Sequence, residues 1–136
     1  MERNLRKIVG LILWWTEGTK PRRDKRWRNA VSYVIEVTNT DARIIKLFLD
    51  FLRKDIGITE DRLKLQIQIH EDNNQNTCEE YWSKITHIPI SRFNRTIIKP
   101  LGKKIGKTQG TCKIRYSDKS LFLRLADELQ KIIRKL

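Results

Sequence analysis

The chain has 136 residues, 39% of them hydrophobic, and its 29 Lys and Arg against 16 Asp and Glu give a formal net charge of +13. That length makes a single domain, 1–136, and the apolar content excludes a wholly disordered basic tail. A surplus this large costs self-repulsion on a folded domain, and it implies a polyanionic partner: nucleic acid or, less often, an anionic membrane surface.

Residues 3–16 read as a helix, apolar nearly all the way round from Ile8 to Trp15. That run is far short of the ~20 residues that span a bilayer, so no membrane partner is expected. It ends in Thr16-Glu17 with no small-residue cleavage site, which argues against a signal peptide. A helix without a polar face must be covered on both sides. One side is expected on the chain's own sheet and the other on a second copy, through Ile8, Gly10, Leu11, Ile12, Trp14 and Trp15. Gly10, which costs about 1 kcal/mol inside a helix, would then allow close backbone approach. The alternative is a central helix buried within one monomer.

A basic stretch follows, with Lys20, Arg22, Arg23, Lys25, Arg26 and Arg28 against Asp24 alone. It reads as a weakly signalled strand, a hairpin tip or a loop that orders on DNA. Val31, Tyr33, Ile35 and Val37 then alternate with Ser32, Val34, Glu36 and Thr38, the pattern of a half-buried strand. Thr40 is predicted to cap a helix carrying Ile45, Phe48, Leu49, Leu52 and Ile56 on one face, and Gly57 to end it. Leu63, Leu65, Ile67 and Ile69 alternate with Lys64, Gln66, Gln68 and His70, a second strand. A short helix with Cys78, Tyr81, Trp82 and Ile85 on one face follows, then a possible short strand near Thr96–Lys99. Cys112, Ile114 and Tyr116 alternate with Thr111, Lys113, Arg115 and Ser117. A last helix, capped by Ser117 or Asp118, carries Leu121, Phe122, Leu125, Leu129, Ile132, Ile133 and Leu136 on one face.

Strands with one apolar and one polar face predict an α+β fold, an antiparallel sheet with helices on one face. The uncovered face would display Ser32, Glu36, Thr38, Lys64, Gln66, Gln68, His70, Thr111, Lys113 and Arg115, groups suited to base edges and phosphates. The charge is also localised. Residues 19–35 carry a net +5, residues 88–117 carry +8 with no acid (Lys103, Lys104 and Lys107 among them), and the remainder is neutral. Cys78 and Cys112 are too far apart for a CxxC pair and read as reduced buried thiols of an intracellular protein. His70, Cys78, His87 and Cys112 match no zinc spacing.

Glu17 stands where the helix dipole is already negative, an unfavourable place for a carboxylate. If a second copy brought its own Glu17 to the same point, the two acids would need a divalent cation between them, a centre suited to phosphodiester chemistry.

Gly10-Leu-Ile-Leu-Trp-Trp-Thr-Glu-Gly18 resembles the signature of the LAGLIDADG homing endonucleases, with Glu17-Gly18 at the family's final acid and glycine. The order of helices and strands resembles the family's αββαββα core over nearly the whole chain. Ile12 and Trp15 stand where the motif has its first glycine and first aspartate. Val37-Thr-Asn-Thr-Asp-Ala-Arg43 matches the strand-to-helix junction beside the family's cleavage site.

The resemblance implies a homodimeric, site-specific DNA endonuclease, its two first helices side by side. Glu17 would be the catalytic acid and the ligand for Mg²⁺ or another divalent cation, Asn39 would position solvent and Arg43 would stabilise charge at the scissile phosphate. Each sheet would read half of a roughly palindromic duplex, both strands being cut to leave 3′ overhangs. The family's catalytic lysine would correspond to Lys113 or Lys135. Such enzymes serve intron or intein mobility and work wherever the DNA is, in cytoplasm, nucleoid or an organelle matrix. A non-cleaving DNA-binding regulator and an intron RNA-binding maturase share the fold and remain the alternatives.

Overall fold

The computed structural model describes residues 1–18, 33–100 and 108–136. The basic stretch that holds Lys20, Arg22, Arg23, Lys25, Arg26, Arg28 and Ser32 lies outside the described residues, as do Lys103, Lys104 and Lys107. Within them the chain is α+β: α1 (Arg3–Glu17), β1 (Val34–Asn39), α2 (Ala42–Asp50), β2 (Lys64–His70), α3 (Gln75–Thr86), β3 (Ile97–Lys99), β4 (Thr111–Ser117) and α4 (Lys119–Lys135). The four strands form one open sheet in the order β1-β4-β2-β3.

The period-two pattern of β2 and β4 sets the layers. Leu65, Ile67 and Ile69 of β2, Cys112, Ile114 and Tyr116 of β4, and Ile35 and Val37 of β1 all point into one core, each at most 1% exposed. Fully burying each large apolar side chain contributes about 1.5–3 kcal/mol, so a one-residue slip of either strand would cost several such terms together. α1, α2 and α4 pack over β1 and α3 over β2, and among the described residues no helix covers the opposite, open face.

The sheet is mixed rather than antiparallel. β4 pairs antiparallel with β1 and β2, but β3 runs parallel to β2, with Gln68 opposite Ile97 and His70 opposite Lys99. The parallel direction follows from the connection: α3 carries the chain back along β2 before it re-enters the sheet at the edge.

Three local details depart from the sequence reading. Asp41, not Thr40, caps α2, its carboxylate accepting from the Arg43 amide at 2.9 Å. A charged acceptor there meets both an orphan amide and the positive end of the helix dipole. Beyond Asp50 the helix widens into a π turn over Phe51–Ile56, which carries Phe51 as well as Leu52 into the core before Gly57 closes it at φ 73°. At the other end of the chain Leu136, expected on the apolar face of α4, lies just beyond the helix and stands out in solvent, 87% exposed.

α1 is only partly what its composition suggests. Leu11 is fully buried and Trp14 nearly so, Trp14 meeting Phe122 edge-on at a centroid distance of 5.1 Å. A Cβ on Gly10 would run into the ring of Phe51, so this glycine makes room for the chain's own core and not for a second backbone. Gly10, Leu11 and Trp14 therefore leave the expected dimer face. What remains is a narrower stripe: Leu5, Ile8 and Trp15 are exposed and Ile12 is half-buried. Their spacing of three or four residues keeps them on one side of the helix.

Candidate active site and nucleic-acid interface

Glu17 closes α1, and Gly18 leaves the helix in extended conformation, its amide donating to the Trp14 carbonyl at 2.9 Å. Gly18 immediately forms an antiparallel bridge with Val37. The approach is tight. A Cβ on Gly18 would strike the Trp14 carbonyl oxygen and stand 3.0 Å from the Glu36 carbonyl. The helix end is thus fastened to β1, and the fastening brings Glu17 to Asn39: Asn39 Nδ2 donates to Glu17 Oε2 at 3.1 Å. The Asn39 side-chain oxygen Oδ1 in turn accepts from the Asp41 backbone amide at 2.8 Å. Asn39 is in register with buried Cys112, so the pair sits on the helix side of β1 and not on the open face.

Arg43 does not turn towards this pair. Its guanidinium lies 2.8 Å from the Asp41 carboxylate, with Nε also donating to it. The adjacent guanidinium holds the Asp41 carboxyl below its ordinary pKa. Asp41 is therefore both the cap of α2 and the counter-ion of Arg43. The signal for it was the Asp-Ala-Arg spacing, which allows a carboxylate at the cap to meet a guanidinium two residues on. Of the two candidate lysines, Lys113 stands on the open face opposite Thr38 and Gln66, and Lys135 ends α4.

The Glu17 carboxylate is a hard oxygen donor, the type that suits Mg²⁺. Among the described residues no three His, Cys, Asp or Glu side chains gather as a metal site. The described residues of one chain thus do not by themselves make a complete cation site.

The open face is organised in rows across the strands. Glu36, Arg115 and Lys64 lie side by side, then Thr38, Lys113 and Gln66, then Thr111 and Gln68. Glu36, expected as a reader of bases, is instead largely buried and ion-paired with Arg115 at 2.6 Å. Gln66 Nε2 donates to the Arg95 carbonyl at 2.9 Å, and His70 Nδ1 lies 3.2 Å from the Pro100 carbonyl. Thr38, Gln66, Gln68, Thr111 and Lys113 line one shallow groove. Cys78 and Cys112 are buried free thiols, and burial pushes both thiol pKa values up. No helix among the described residues is long and apolar enough to cross a membrane. No protein-family model matches the chain, and no significant match is found among curated proteins or solved structures.

Proposed function

We propose that the protein is a site-specific double-stranded DNA endonuclease of the LAGLIDADG homing type, acting as a homodimer inside the cell. The observation that carries this reading is the contact between Glu17 and Asn39 at the end of a helix whose outer stripe, Leu5, Ile8, Ile12 and Trp15, is apolar and open to solvent. A second copy packed on that stripe would cover it, and it would bring a second Glu17 to the same helix end.

In this arrangement the two Glu17 carboxylates would hold Mg²⁺ or another divalent cation, which would supply Lewis-acid stabilisation of charge on the scissile phosphate. Asn39 orients the Glu17 carboxylate through its amide, the polar open face binds the duplex, and Arg43 reaches the phosphate only by exchanging Asp41 for it.

That last requirement favours one second reading, a DNA-binding regulator of the same fold that binds without cutting. The experiment is incubation with a randomised duplex library and Mg²⁺, followed by sequencing of the ends. The endonuclease reading expects a recurrent cut in both strands with 3′ overhangs. Tight, selective binding with no nick under any divalent cation would establish the second reading instead.

A further inference from the structure

The open face ends, beyond the row of Lys64 and Arg115, in a pocket of about 130 Å³ lined by Arg62, Lys64, Asn94, Arg115 and Ser117. Three of its five walls are cationic. Lys64 and Arg115 are direct cross-strand partners on the same face, and like charges so placed are mutually destabilising. Glu36 relieves Arg115 from the β1 side, and Asp118 meets Arg62 at 3.2 Å. Neither acid lines the pocket, and Lys64 has no carboxylate partner among the described residues.

The walls are held in place before any ligand arrives. Arg62 donates to the Ser117 carbonyl and lies over the Tyr116 ring, 5.0 Å from its centroid. Tyr116 is itself fixed by the Thr59 amide, which donates to its hydroxyl at 2.9 Å. Asn94 is pinned to β2 by its backbone N–H, which donates to the Leu65 carbonyl at 2.7 Å. A preset group of cations with two neutral hydrogen-bonding side chains, and no acid on the wall, is complementary to a phosphate oxygen cluster.

We infer that this pocket binds a backbone phosphate of the duplex, so that the row at Lys64 and Arg115 supplies affinity while the groove of Thr38, Gln66, Gln68, Thr111 and Lys113 reads sequence. The inference rests on the proposal that the open face takes DNA. Ser117 lies five positions along β4 from Cys112, the register partner of Asn39. At ~3.4 Å per residue the pocket is about 17 Å along the strand from the level of Asn39.

The test uses fluorescein-labelled 30-base-pair duplexes of several unrelated sequences, titrated against salt. Lys64→Gln is expected to bind all of them about fivefold more weakly and to reduce the slope of log affinity against log salt by about one. Lys64→Arg should retain the slope, and Lys46→Gln, which removes an equal charge from the exposed side of α2, should leave both quantities unchanged. If wild type binds duplex with a steep salt slope but Lys64→Gln behaves like Lys46→Gln, the pocket assignment is overturned and the DNA reading stands. If wild type shows no salt-dependent duplex binding, both are overturned.

Discussion

Asn39 and Glu17, 22 positions apart in sequence, are joined by a hydrogen bond of 3.1 Å from the Asn39 amide nitrogen to a Glu17 carboxylate oxygen. The orientation of Asn39 is fixed from both ends, because its oxygen must accept from the Asp41 amide and only its nitrogen can donate to a carboxylate. Asn39 thereby acts as a positioning residue for the acid at the helix terminus.

Asn39→Ala is expected to slow Mg²⁺-dependent cleavage at least about tenfold and to lower the melting temperature by several degrees without preventing folding, since its two side-chain hydrogen bonds contribute about 0.5–1.5 kcal/mol each. Asn39→Asp would set a like charge beside Glu17 and raise a carboxyl pKa in the pair, moving the pH profile of cleavage upward. An unshifted profile with full activity in both variants would reject the positioning role.

Gly10 and Phe51 are predicted to be coupled. Gly10→Ala drives a methyl group into the Phe51 ring, an overpacking that costs about 1–3 kcal/mol. Phe51→Leu alone also destabilises, by removing buried surface, but the double variant should be more stable than the sum of the two losses. Denaturant unfolding of the four proteins measures the coupling. Strict additivity would mean that Gly10 serves something other than this contact.

Asp55 is nearly buried and receives two hydrogen bonds from Arg6, at 2.7 and 2.9 Å. The hydrogen-bonded guanidinium holds its carboxyl below the ordinary carboxylate range, against the opposing effect of desolvation. A depressed folded pKa contributes stability that is present above the unfolded value of about 3.9 and is lost as pH falls through the folded value. Asp55→Asn should therefore be less stable than wild type at pH 7, with a gap that narrows at pH 3. Chemical denaturation at the two pH values decides it, and a constant gap would contradict the assignment.

The sequence was most legible where one period ran unbroken. In β2 and β4 every second residue is apolar, and all of those side chains are buried. The stop at Gly57 was equally readable, because the chain there takes a left-handed conformation. What could not be read depended on partners distant in sequence. Gly10 owes its place to Phe51, Glu36 is drawn to Arg115, and the direction of β3 follows from the path of α3. Composition marked α1 as apolar all round, but only packing against α4 and the π turn decided which side was left over. At the candidate site, Glu17 and Asn39 were both singled out by the sequence, whereas the pairing of Arg43 with Asp41 was not.

The leftover stripe on α1 gives a prediction about assembly. Ile8→Glu with Trp15→Glu should yield a folded monomer from a dimeric wild type, because both side chains are exposed and outside the core. Leu11→Glu, by contrast, should fail to fold. Sedimentation together with circular dichroism separates the cases. A wild type that is monomeric at all concentrations would contradict the shared two-glutamate centre.

The central claim is that Glu17 does the chemistry, and the most direct measurement compares wild type with Glu17→Gln on a plasmid carrying the selected cut site, with and without Mg²⁺. Glutamine keeps the size and a hydrogen-bonding oxygen for Asn39 but removes the charge that holds the cation. The expected result is Mg²⁺-dependent linearisation by wild type, none by Glu17→Gln, and duplex binding by both within a few-fold of each other. Equal cutting by the two proteins would contradict the account.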